Sequence, residues 1–143
     1  MKGSRRRARE DALQVLYQLD MNNTLTPGAG LAHFEKLFNP EGGAIDEFTR
    51  KLVTGVAENL ADLNATIAKY SDNWRNERMP AVDRNILRLG AFELEHCDDI
   101  PATVSINEMV ELAKGFGSEN SAAFVNGILD KVKTALVRPN KAK

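Results

Sequence analysis

Apolar residues recur at helical spacing through most of this chain. From Ser4 to Met21, the residues Ala8, Ala12, Val15, Leu16 and Leu19 fall on one face with no Gly or Pro between them, which predicts an amphipathic helix. A turn-rich stretch follows (Asn22, Asn23, Thr24, Pro27, Gly28, Gly30), then a short helical segment over Leu31 to Phe38, then a break at Asn39, Pro40, Gly42 and Gly43. Between Ile45 and Tyr70 the residues Phe48, Leu52, Val53, Val56, Leu60, Leu63 and Ile67 keep helical period, as one long helix or as two divided near Gly55 or Asp62. Pro80 suits the first turn of the next helix, where a missing N–H costs nothing. That helix is apolar nearly all round, through Val82, Ile86, Leu87, Leu89, Phe92 and Leu94, so Val82 to Glu95 is expected at the centre of a bundle.

Two further helices complete the pattern. Ser105 and Glu108 have the spacing of a capping box, ahead of Ile106, Met109, Val110, Ala113 and Phe116 on one face and Gly117 as a stop. The last helix is expected from Asn120 or Ser121, with Val125, Ile128, Leu129, Val132 and Leu136 inward, until Arg138 and Pro139 end it. No period-two strand and no internal repeat interrupts this series, so the fold expected is all-α, a compact bundle of about seven helices.

The 143 residues suffice for one hydrophobic core, so a single domain over 1–143 is expected. No apolar run approaches the length a bilayer requires, and the basic amino end has no apolar stretch behind it, so no membrane span and no secretory signal is expected. The lone Cys97 fits a reducing compartment, which points to the cytoplasm.

The net charge of −1 conceals a strong asymmetry. Lys2, Arg5, Arg6, Arg7 and Arg9 at one end and Lys131, Lys133, Arg138, Lys141 and Lys143 at the other make up ten of the 19 basic residues. Between Asp11 and Asp130, nine Lys and Arg face 19 Asp and Glu, a balance of −10. Two basic ends on an acidic body suit a polyanionic partner. Solubilising tails on a helical protein–protein adaptor give the same composition, and that alternative predicts no affinity for single-stranded RNA.

The arginine run also breaks a local rule. Helix amino-termini favour negative charge, yet Arg5, Arg6, Arg7 and Arg9 crowd this one, and a rule broken without folding gain marks function. Arg6, Glu10, Leu13 and Tyr17 share one stripe beside the core face, which places a ring on the same ridge as a cation, a combination suited to single-stranded RNA. The competing reading makes Tyr17 a plain rim of the core. In the last helix Phe124 sits to one side of the core stripe, with Gly127 and Lys131 following at helical spacing. Gly127 there implies close approach by another helix, a loop or a ligand, and Phe124 with Lys131 gives a second stacking platform.

Catalytic chemistry finds little support. His96, Cys97, Asp98 and Asp99 are the only dense cluster of reactive types, and helical neighbours project about 100° apart, so His96 and Cys97 would not face each other. Two histidines and one cysteine do not make a zinc site, and no phosphate-cradling glycine loop or nucleophile elbow occurs. Neither an enzyme nor a cofactor or small-molecule substrate is expected.

Taken together, several stretches resemble the NusB family of bacterial transcription antitermination factors. They are Arg5-Arg6-Arg7-Ala8-Arg9-Glu10 with Ala12, Leu16 and Tyr17; Val82-Asp83-Arg84-Asn85-Ile86-Leu87-Arg88-Leu89 with Glu93-Leu94; Ile100-Pro101, Ile106-Asn107-Glu108 and Glu111-Leu112-Ala113-Lys114; and Phe124-Val125-Asn126-Gly127-Ile128-Leu129-Asp130. Residues 22–43 contribute no motif. The resemblance implies two small helical subdomains packed together, no catalysis, and binding of single-stranded boxA RNA from ribosomal operons jointly with the ribosomal protein NusE. Other Nus factors and RNA polymerase would join in a larger complex that suppresses termination. By the same resemblance, the arginine run, Phe124 and the loop before it, including Asn120, match RNA-contacting positions, and Trp74, Glu77, Arg78 and Asp83 match the partner surface. NusB-like domains also occur fused to ribosomal RNA methyltransferases; with Lys143 as the last residue, an intact methyltransferase is not expected.

Overall fold

The computed structural model describes residues 4–38, 45–71 and 79–136. Seven helices lie among the described residues: α1 (Ser4–Met21), α2 (Pro27–Phe38), α3 (Glu47–Glu58), α4 (Leu60–Tyr70), α5 (Ala81–His96), α6 (Ala102–Phe116) and α7 (Ser121–Leu136). No strand occurs among those residues, and no described helix is long and apolar enough to cross a membrane. The chain divides into two compact units, 1–58 and 59–143.

In the first unit α1 packs against both α2 and α3. Ala8, Ala12, Val15 and Leu16 are buried as the periodicity predicts, and Leu13 joins them, facing Leu31, Phe34, Leu52, Val53 and Val56 from the other two helices. α2 begins earlier than its apolar pattern indicates. Thr26 Oγ1 accepts the Ala29 N–H at 3.1 Å, a cap that lets Pro27 serve as the first helical residue rather than as part of a turn. Asp46 starts α3 in the same manner, its Oδ1 accepting the Phe48 N–H at 2.7 Å. The long run from Ile45 to Tyr70 resolves into two helices that part at Asn59, not at Gly55 or Asp62, and this is also where one unit gives way to the other.

The second unit is built around α5, which contacts α4, α6 and α7. Eleven consecutive or near-consecutive residues of α5, Asp83 and Asn85 through Leu94, are buried, as expected of a helix without a polar face. Gly90 is what lets its neighbours come so close, because a Cβ at this position would meet Leu129 Cδ1 at 2.5 Å and Met109 Cγ at 3.1 Å. The polar groups drawn into this core are bonded. Arg88 Nε donates to Asn64 Oδ1 (2.9 Å), Arg88 Nη1 to Asn85 Oδ1 (3.1 Å), and Asn85 Nδ2 to the Ala81 carbonyl (2.9 Å).

Ser105 departs from the expected capping box. α6 begins three residues earlier, after Pro101, and Ser105 lies within it, its hydroxyl donating to the fully buried carboxylate of Glu93 at 2.7 Å. Phe116, assigned to the core face by its spacing, is 44% exposed, because it is the last residue of α6 and the chain turns away at Gly117.

Candidate nucleic-acid interface

The amino end of α1 carries no acidic residue in its first turn. Its four arginines are not equivalent. Arg5 is exposed and its guanidinium lies 4.2 Å from the centroid of the Phe48 ring, stacked over α3. Arg7 is also exposed, with Nε donating to Asp11 Oδ1 at 3.2 Å, one turn along. Arg6 is half-buried. Arg9 differs from the expectation for the run, being only 3% exposed, with its guanidinium 5.3 Å from the same Phe48 ring. Its position on the inward side of α1, one turn from Arg5, makes it part of the packing between α1 and α3.

Phe48 thus holds two guanidinium groups, a role hidden by its ordinary place in the core stripe of α3. A nearby bond fixes the two helices, as Thr49 Oγ1 donates to the Ala8 carbonyl at 3.2 Å. Burial pushes the Asp11 carboxyl above its ordinary range, an effect opposed by the Arg7 hydrogen bond and charge and reinforced by the charge of Asp46.

Tyr17 lies well away from these arginines. It is eleven residues beyond Arg6, about 16 Å along the helix axis. Its ring, 41% exposed, lines a cleft of about 530 Å³ together with Met21, Leu25, Ala29 and His33. The ridge expected to pair Arg6 with Tyr17 is therefore interrupted by distance, and by Leu13, which is buried.

In the second unit, Phe124 and Lys131 share one side of α7, and Asn120 immediately precedes the helix. Asn120 is exposed and its carbonyl accepts the Phe124 N–H (3.2 Å); Phe124 is half-buried and Lys131 exposed. Ser121, not Asn120, fixes the start of this helix. Its hydroxyl accepts the Ser118 N–H at 2.9 Å and donates to Asp83 Oδ1 at 2.7 Å. With the Ser121 proton committed to Asp83, the Ser118 hydroxyl is the donor in its 3.2 Å contact with Ser121 Oγ. Gly117 is needed beside this knot, since a Cβ there would meet Ser121 Oγ at 2.5 Å.

Asp83, expected on the partner surface, is 5% exposed, and its carboxylate joins the first turn of α5 to the first turn of α7. Trp74, Glu77 and Arg78, the other partner-surface residues, lie outside the described residues.

The reactive cluster after α5 is structural. His96 stacks on Phe92 with ring centroids 5.0 Å apart, and Cys97 is buried with its N–H donated to the Glu93 carbonyl at 3.0 Å. Among the described residues, no group of three or more His, Cys, Asp or Glu side chains is placed to hold a metal ion.

Comparison with known proteins agrees with the motifs. Residues 6–134 match the NusB family. The transcription antitermination protein NusB of Myxococcus xanthus is 48% identical over 140 residues, covering 96% of this chain and 99% of that protein. Among solved structures, NusB of T. maritima superposes with a TM-score of 0.85 at 34% identity, covering 99% of both chains. A chain in the crystal structure of antitermination factors NusB and NusE in complex with dsRNA superposes with a TM-score of 0.83 at 28% identity, over 94% of this chain and 99% of that one. This all-helical chain, with its arginine-headed first helix and its Phe124-Val125-Asn126-Gly127 segment, belongs to the NusB family.

Proposed function

We propose that this chain is a non-enzymatic transcription antitermination factor of the cytoplasm whose residues 1–143 act as one RNA-binding domain. Its ligand is single-stranded boxA RNA of ribosomal operons, bound together with NusE. The pair works with other Nus factors and RNA polymerase to suppress premature termination, without any cofactor. The observation that carries this reading is the amino end of α1, where arginines stand at a helix end that disfavours them, and Arg5 is held over the Phe48 ring. A second set of contacts, Phe124 and Lys131 on α7 with Asn120 just before it, supplies a ring and a cation of the kind that hold unpaired bases. Of the sequence-derived residues, Arg5, Arg6 and Arg7 are assigned to phosphate, Arg9 to support of Phe48, and Tyr17 to the edge of the 530 Å³ cleft, where it is open to a partner.

The test is a fluorescence-anisotropy titration of labelled boxA RNA, a scrambled strand and a duplex of the boxA sequence, with the protein alone and with NusE. The expected result is preference for the single boxA strand, sharpened when NusE is present. Equal, weak binding of all three RNAs in both conditions would instead favour a helical adaptor with solubilising basic ends.

A further inference from the structure

Gly127 sits in the interior of α7, where glycine is the least favourable residue short of proline. Two ordinary reasons for a helical glycine fail here. A Cβ at Gly127 would meet no heavy atom within 4 Å among the described residues, whereas one at Gly90 would collide with Leu129. Its backbone is regular right-handed helix, a conformation open to any residue. Among the described residues neither packing nor backbone geometry explains the glycine, and the open space beside it admits a close approach from outside.

The surroundings identify what approaches. At 100° per residue, Phe124, Gly127 and Lys131 fall within an arc of about 60° on α7. Along the axis, Gly127 lies about 4.5 Å beyond Phe124 and about 6 Å before Lys131. On the exposed side of α7, Asn126, Asp130 and Thr134 are polar and Ala123 and Ala135 are small, so the strip lacks the stripe of large apolar side chains on which a partner helix would dock. Asp130, the acid that would repel a polyanion, is ion-paired with Lys133 at 3.5 Å.

Building on the RNA-binding reading above, we infer that Gly127 is the point at which the sugar–phosphate backbone of the bound strand lies directly against α7, between a base on Phe124 and a phosphate at Lys131. A methyl group at this position would hold the strand away from both. It would also strengthen the helix, so stability and affinity should move in opposite directions, an outcome that a purely structural role for Gly127 does not give.

Thermal melting and boxA anisotropy on wild type, Gly127→Ala, Gly127→Leu and Phe124→Ala make the test. Gly127→Ala is expected to melt a few degrees higher and to bind on the order of tenfold more weakly, with Gly127→Leu weaker again. If wild type binds and Phe124→Ala weakens binding while Gly127→Ala binds like wild type, the inference fails and the RNA-binding reading stands. If Gly127→Ala loses affinity but also melts lower, the glycine serves the fold and the inference fails. Loss of NusE binding with RNA affinity unchanged overturns it equally, and failure of wild type to bind RNA overturns both.

Discussion

Replacing Asp83 tests how the start of α7 is held. The carboxylate is 5% exposed and accepts one short bond, 2.7 Å, from Ser121, whose oxygen in turn receives the Ser118 N–H. A hydrogen bond to a charged group contributes about 1.5–3 kcal/mol, and a carboxylate in the first turn of a helix a further 0.3–1 kcal/mol or so. Asp83→Ala removes both and leaves the Ser121 hydroxyl without its acceptor, for an expected cost of about 2–4 kcal/mol. For a chain of this size that is a fall in melting temperature of roughly 10 °C. Asp83→Asn keeps the shape and an acceptor and should lose about half as much. Asp83→Lys, harmless on an exposed surface, would bury an ammonium group against a helix amino-terminus and should prevent folding or nearly so. Denaturation in urea of Asp83→Ala, Ser121→Ala and the double variant measures the coupling directly, with an interaction energy of about 1–2 kcal/mol expected. An Asp83→Ala protein that melts within a degree or two of wild type, or a double variant whose cost is the simple sum, would refute the link.

Phe48→Leu keeps most of the apolar volume, so stability should fall by less than about 1.5 kcal/mol, yet RNA affinity should drop several-fold because the Arg5 guanidinium loses its ring; RNA affinity equal to wild type in anisotropy would remove Phe48 from the site. The raised Asp11 pKa means that the folded protein binds its proton more readily than the unfolded chain, so ionised Asp11 lowers stability, and this cost is relieved as pH falls through the folded-state pKa toward the ordinary value of 3.8. Urea midpoints across that range should therefore show wild type gaining on Asp11→Asn as the pH is lowered; a difference between the two that stays constant with pH would contradict the assignment.

Periodicity sufficed for the helices and for the inner face of each, because a 3.6-residue stripe is written into consecutive residues. Ser4–Met21 and the all-round burial of α5 follow from it directly. What it missed were local caps and distant bonds. Thr26 turned an apparent Pro-Gly turn into the start of α2, and Ser105, with the spacing of a cap, answers instead to Glu93 on another helix. The site shows the same division. Arg5 and Arg7 were legible as cations at the wrong helix end, and Phe124 as a ring off the core stripe. The burial of Arg9 depends on Phe48, 39 positions away, and that of Asp83 on Ser121, 38 positions away. Nothing in the spacing of either residue signals such a partner.

Binding of RNA phosphates by the amino end of α1 would set the salt dependence of boxA binding. The variant to compare with wild type carries Arg5→Gln, Arg6→Gln and Arg7→Gln together, since glutamine keeps helix propensity and, unlike glutamate, adds no charge beside Asp11. Each phosphate contact on a single strand adds about −0.7 to the slope of log affinity against log salt, so losing three should make the slope shallower by about 2. That change, with melting temperature and NusE binding close to wild type, is the result expected; parallel salt plots for the two proteins would contradict the claim.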